Sequence, residues 1–157
     1  MSEVVFIDTS LLVNLLDVQG KNADRREVVA AFLAGQANGA TFVLPVTTII
    51  ETGNHIAQVH GPGDARRACA ERLVSALENA LIAAPPWVLT GEVWDHALVR
   101  AIVSGSTTRP DAISLLTQGV GTGDIGILAE AEAYRRRLPS ATPVRIWTLD
   151  VGLAAYA

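Results

Sequence analysis

The stretch VVFIDTSLLVNLL, residues 4–16, decides how this chain is read. Its first four residues are β-branched or aromatic, uninterrupted by polar groups and too few for a helix, which is the pattern of a strand buried on both faces. The spacing predicts a strand over Val4–Asp8. An acid stands where the apolar run stops, and Thr9, Ser10 and a second apolar run follow at once. Such an acid either caps a helix or opens a site.

Three further stretches have the same strand character: TFVLPV (41–46), WVLT (87–90) and VRIWTL (144–149). Helical patterns fill the intervals. Val28, Val29, Phe32 and Leu33 mark a helix over Asn22–Gln36, stopped by the glycines of GQANGA. Thr47 or Thr48 is placed to cap a helix carrying Ile49, Ile50 and Ile56, and Asp64 to start one running through Cys69, Leu73 and Leu77 to Leu81. Thr90 is placed to cap a helix with Val93, Ala97, Leu98 and Ile102 on one face, a short helix starts near Pro110, and Asp124 opens DIGILAEAEAYRRRL. A last turn or two follows Asp150. Strands alternating with helices imply an α/β three-layer sandwich, with a central parallel sheet of four or five strands flanked by helices. Functional groups of such sheets collect at the carboxyl ends of the strands.

Length and composition bound what this fold can do. A chain of 157 residues is expected to form a single domain over 1–157. Half of it is hydrophobic and 18% charged, so an ordered aliphatic core is expected. The net charge of −4 gives no global attraction to a polyanion, and 11 of the 12 basic residues are Arg, leaving Lys21 alone. Cys69 is the single cysteine, which excludes an intrachain disulfide and a cysteine-rich zinc site and reads as a small core residue. No apolar stretch reaches 18 residues, so no membrane partner is expected, and the default compartment is cytoplasmic.

Four acids occupy positions the topology would bring together. Asp8 ends the first strand, Asp150 follows the last, Glu51 lies one turn into the helix after the second strand, and Asp124 begins the helix before the last strand. Carboxylates about 5 Å apart repel by roughly 3 kcal/mol per pair at an effective dielectric near 20, so such a cluster holds a cation or stays partly protonated. All-oxygen ligation suits Mg2+ or Mn2+, which activate water and stabilise in-line phosphoryl displacement. Each acid also has a plain role open to it: Asp8, Asp124 and Asp150 as helix caps, and Glu51 as a solvated helical residue.

FIDTSLLVNLL resembles the first motif of the PIN-domain family. In that family a strand ends in Asp followed by Thr or Ser, a helical acid follows the second strand, a helix-starting Asp comes third, and the last strand closes with Thr-x-Asp. Asp8 in FIDTS, Glu51 in TTIIETGNHI, Asp124 in GTGDIGILAEAEA and Asp150 in WTLDVGL match in order and approximate spacing over nearly the whole chain. The resemblance implies a metal-dependent endoribonuclease, commonly the toxin of a toxin-antitoxin pair of the VapC type. It implies RNA as substrate, Asp8, Asp124 and Asp150 as ligands of Mg2+ or Mn2+, an antitoxin protein as partner and a homodimer. By the same analogy Ser10 and Thr148 orient ligand carboxylates or bound water, and Asn14 occupies a place where the family often carries a polar residue. Asp111 in RPDAISLL also has the form of the third-motif aspartate. Asp124 is preferred because its helix runs directly into the last strand.

The other polar residues favour plain roles. His55 and His60 lack the spacing of a zinc helix and read, with His96, as surface or structural residues. Arg135, Arg136 and Arg137 fan around a helix, where at least one could meet RNA phosphate, although a solvated face is the plainer reading. A phosphoaspartate enzyme would also place an Asp after the first strand, but such chemistry needs a lysine near the last strands and only Lys21 exists. From a different class, a non-catalytic PIN-like RNA- or protein-binding module is the alternative. A pure binding surface gains nothing from four mutually repelling carboxylates.

Overall fold

The computed structural model describes residues 2–157. In chain order the elements are β1 (Val4–Ile7), α1 (Thr9–Leu15), α2 (Arg25–Ala37), β2 (Thr41–Leu44), α3 (Val46–Ala57), α4 (Gly63–Leu81), β3 (Trp87–Leu89), α5 (His96–Ser104), α6 (Ala112–Thr117), α7 (Thr122–Arg135), β4 (Val144–Trp147) and α8 (Val151–Ala154). All strand pairs are parallel and the order across the sheet is β3-β2-β1-β4. The architecture is therefore α/β, with helices on both faces of a four-stranded parallel sheet.

Strand alternation divides the core. Val5 and Ile7 of β1, with Phe42 and Leu44 of β2, pack against α1–α4, including Leu11, Leu12, Val28, Ile56 and Ala76. Val4, Phe6 and Val43 face the opposite way and pack on Ile127, Leu128 and Ala131 of α7 and Leu153 of α8. Residues facing both ways are buried, which is why VVFI carries no polar residue. Phe6 is fully buried, and its truncation to Ala would cost about 3–5 kcal/mol. A satellite core joins Leu98 and Ile102 of α5 and Leu115 of α6 to Ile125 and Ala129 of α7. Cys69 is buried, as its place in the helical pattern predicts, and its thiol donates to the Asp17 carbonyl at 3.4 Å.

Several boundaries differ from expectation for identifiable reasons. The second strand ends at Leu44, because Pro45 takes the extended N-cap position of α3 and the helix begins at Val46. Thr48 consequently lies inside α3, and its hydroxyl donates to the Ile7 carbonyl at 2.8 Å, tying α3 to the end of β1. Thr90 caps nothing: Asp95, further along, accepts from the amides of Ala97 and Leu98 and starts α5 at His96. Asp124 does not open its helix either, since α7 begins two residues earlier, with Gly121 at the cap. At Gly105, φ is +73°, and a Cβ there would stand 2.6 Å from the Arg109 carbonyl oxygen, so this close turn between α5 and α6 requires glycine. Among the described residues no helix is long and apolar enough to cross a membrane.

Candidate active site

The strand order places β1 and β4 side by side, although they lie at opposite ends of the sequence. Ile7 pairs with Trp147, and the Asp8 amide donates to the Trp147 carbonyl at 3.1 Å. The chain leaves β1 toward β2 on one side and returns to β4 on the other, which makes the carboxyl end of this pair the topological switch point. A cleft of about 490 Å³ opens there, and Asp8, Glu51, Asp124 and Asp150 all line it. Four separate segments contribute these acids, one each, and a fifth acid that the sequence did not bring forward, Asp24 at the start of α2, also lines the cleft. Asp111 does not line the cleft; it is the N-cap of α6, where the amide and hydroxyl of Ser114 hold its carboxyl below the usual range.

Asp8 is 3% exposed and is held from every side. One oxygen, Oδ1, accepts from the Thr9 amide at 2.6 Å. The other, Oδ2, accepts from the Ser10 hydroxyl at 2.7 Å, the Thr148 hydroxyl at 2.7 Å and, more weakly, the Ser10 amide at 3.4 Å. Asp8 thus caps α1 and binds the β4–α8 corner at once. The corner reciprocates: the Leu149 amide donates to Ser10 Oγ, and the Asp150 amide to Thr148 Oγ1. Ser10 and Thr148, expected to orient ligand carboxylates, both donate to the same Asp8 oxygen. Asn14 faces inward, with its Oδ1 accepting from the Asp24 amide and its Nδ2 donating to the Ser10 carbonyl.

Glu51 lies on α3 and Asp124 on α7, two helices that pack against each other. The Glu51 carboxylate accepts from the Thr9 hydroxyl at 2.8 Å, a contact that residue types and spacing did not bring forward. It lies so close to Gly123 that a Cβ there would overlap Glu51 Oε1. Asp124, in the first turn of α7, is half-buried; burial, then the charges of Asp8, Asp150 and Glu51, push its carboxyl up to about 6. Asp150 is exposed and caps α8 through the Leu153 amide at 3.0 Å. The capping roles open to Asp8 and Asp150 are therefore real, and coexist with their place in the cleft.

Behind the cleft lies a further carboxylate. Glu130 is fully buried on α7; its Oε1 accepts from Trp94 Nε1 at 2.9 Å, while its Oε2 has no hydrogen-bond partner. The Thr90 side chain and the Val46 amide at the start of α3 lie near enough to offset part of the cost of burying its charge. Burial raises its carboxyl above the usual range.

Two residues set aside in the sequence line the cleft, and three arginines considered for RNA do not. Lys21 and His55 stand on its wall. Arg135, Arg136 and Arg137 lie at or beyond the last turn of α7, about 16–20 Å along the helix axis from Asp124. Arg135 donates to the Val144 carbonyl and Arg137 to the Thr90 carbonyl and the Glu92 carboxylate. Their charges serve the opposite end of the molecule.

The donor chemistry of the cleft, carboxylate oxygens with no thiolate, fits a hard divalent cation. Among the described residues, however, no three His, Cys, Asp or Glu side chains are gathered into a group that could hold a metal ion as they stand. Side-chain rotation of Asp150 or Glu51 would have to bring the oxygens closer. No family model, curated protein or solved structure matches this chain.

Proposed function

We propose that this chain is a metal-dependent endoribonuclease of PIN-like design, hydrolysing RNA phosphodiester bonds. One observation carries the reading: four acids from four separate segments face a single cleft at the switch point of a parallel sheet, and their mutual repulsion helps raise Asp124 to about 6. Asp8, Asp124 and Asp150 would hold Mg2+ or Mn2+, with Glu51 supporting a ligand or a water. When bound, such a cation lowers the pKa of water and stabilises charge on the phosphate oxygens.

The chain's own residues do the positioning. Ser10 and Thr148 occupy Oδ2 of Asp8, which leaves Oδ1, taking only the Thr9 amide, with a lone pair to offer. Thr9 holds Glu51 back against α1. A phosphoaspartate enzyme is not favoured: its chemistry needs a lysine near the last strands, and Lys21, although it lines the cleft, lies between α1 and α2. The spread of the acids favours the second reading, a PIN-like module that binds RNA or protein without cutting.

Two measurements decide between them. Saturating Mn2+ should raise thermal stability, by about 2.7 kcal/mol at 100 times its dissociation constant, and Asp8→Asn should abolish the shift. RNA incubated with Mn2+ should yield 5′-phosphate and 3′-hydroxyl ends, because water is the nucleophile. A 2′,3′-cyclic phosphate, or cleavage that survives Asp8→Asn, would show that the active-site assignment is wrong, and absence of cleavage would overturn the enzyme reading.

A toxin role and a homodimer belong to the same proposal. Val99 and Val103 share one exposed stripe of α5, and Ile113 and Leu116 one of α6, apolar surface that a second copy would cover. Light scattering of the wild type and of Val103→Asp reads the dimer. Growth arrest on expression, absent in Asp8→Asn, reads the toxin.

A further inference from the structure

The acidic cleft does not end at its own rim. A second cavity of about 380 Å³ adjoins it, and the two share Lys21 and His55 as common wall. Gln19, Gln58, Val59 and His60 complete the second cavity. It thus gathers the only lysine of the chain and two of its three histidines beside the most acidic part of the surface.

The walls are built before any ligand arrives. One is the segment between α1 and α2, anchored from several sides. Arg72 Nε donates to the Leu16 carbonyl at 2.6 Å, Arg25 Nη1 to the carbonyls of Asn14 and Leu15 at 2.7 Å each, and Asn22 Nδ2 to Asp17 Oδ1 at 2.7 Å. Val18 is fully buried beneath it. The other wall follows α3, where Arg66 Nη2 donates to the Val59 carbonyl at 2.8 Å and Val59 is 5% exposed. A binding surface held in this way spends little free energy on ordering itself.

We propose that this second cavity takes the single RNA strand as it leaves the acidic cleft, with Lys21 and His55 receiving a phosphate at the junction and His60, Gln58 and Gln19 receiving the adjoining nucleotide. The proposal rests on the ribonuclease reading above and specifies where its substrate lies. Electrostatics select the junction, since the five carboxylates that line the cleft repel a polyanion and Lys21 is the cation on the shared wall. The exposed His60 ring, the half-buried His55 ring and the side-chain amides suit an unstacked base, which offers a π-face and hydrogen-bonding edges that a duplex conceals.

Because His96 lines neither cavity, the three histidines form an internal control. The full chain is titrated with a six-nucleotide single-stranded RNA in calcium, whose looser coordination supplies counter-charge while activating water poorly. The ring signals of His55 and His60 should shift in NMR spectra and that of His96 should stay. Lys21→Ala and His60→Ala alter exposed side chains, should leave the melting temperature unchanged, and should each weaken binding of this RNA about fivefold to tenfold. Lys21→Ala should also lower the salt dependence of log K by about one.

If the wild type cleaves RNA in manganese but these variants bind it undiminished, the ribonuclease reading stands and the groove proposal falls. Histidine signals that stay put in a cleavage-competent protein do the same, and leave the groove to a partner peptide or a second copy of this chain. A wild type that shows the histidine shifts and binding losses but never cleaves overturns the ribonuclease reading while keeping the groove. One that neither binds nor cleaves overturns both.

Discussion

Asp124 and Glu130 stand six positions apart on α7, and burial raises the carboxyl pKa of both. Their neighbours differ completely. Around Glu130 the Trp94 indole donates to one oxygen, with the Thr90 side chain and the Val46 amide nearby, and the other oxygen has no hydrogen-bond partner. Around Asp124 stand three more acids. The charge of the first is partly compensated by donors, whereas the second is opposed by a cluster of like charges. A perturbed acid points to a functional site more strongly when such a cluster shares the cause, and this helix holds one example of each kind.

The comparison breaks most visibly in activity. Asp124→Asn should reduce metal-dependent RNA cleavage by well over about a hundredfold, more than the loss of a residue that merely supports a ligand. Asp111→Asn should leave cleavage unchanged, since Asn caps a helix nearly as well as Asp. The reverse pattern in a gel assay would exchange the two aspartates. Stability gives the next largest effect. Glu130→Ala removes the acceptor of the buried Trp94 indole and leaves a void, and should cost about 2 kcal/mol in urea unfolding, with or without Mn2+.

Proton linkage sharpens the contrast. The raised pKa of Asp124 means that the folded chain binds more protons than the unfolded one between about pH 4 and 6. Stability should therefore fall as pH rises through that window. After discounting for solvent screening of a half-buried group, the loss is roughly 1–2 kcal/mol. Glu130 contributes with the same sign, so the variants separate them: Asp124→Asn should flatten the curve and raise the neutral-pH melting temperature by a few degrees. Saturating Mg2+ should flatten the wild-type curve and leave the Glu130 contribution in place. The smallest effect belongs to Gly123→Ala, whose methyl would displace the Glu51 carboxylate from Thr9. Cleavage should drop severalfold while unfolding free energy moves by no more than about 1 kcal/mol.

The layers were legible in the sequence because a strand buried on both faces leaves a continuous apolar run, and VVFI and TFVL are such runs. Four of the cleft acids were legible for a related reason: Asp8 directly follows β1, Asp150 comes three residues after β4, and strand ends share one edge of a parallel sheet. Helix starts were harder. Asp95 outcompeted Thr90 as a cap because a carboxylate reaches two amides, and Gly121 in an extended conformation began α7 ahead of Asp124. Lys21, His55 and Thr9 were missed because their roles come from tertiary approach. Lys21 sits in a segment with neither strand nor helix period, and only the docking of that segment against α3 brings it to the cleft.

The bond between Thr148 and Asp8 joins residues 140 positions apart. Closing so long a loop is an entropic cost met late, after the local helices have formed. A chain emerging from a ribosome can fold α1 to α4 against β1 and β2, yet until β4 is made, Asp8 lacks its Thr148 donor and the cleft lacks Asp150. In this order of assembly the cleft is the last part of the sheet to be completed, whatever forms first around it.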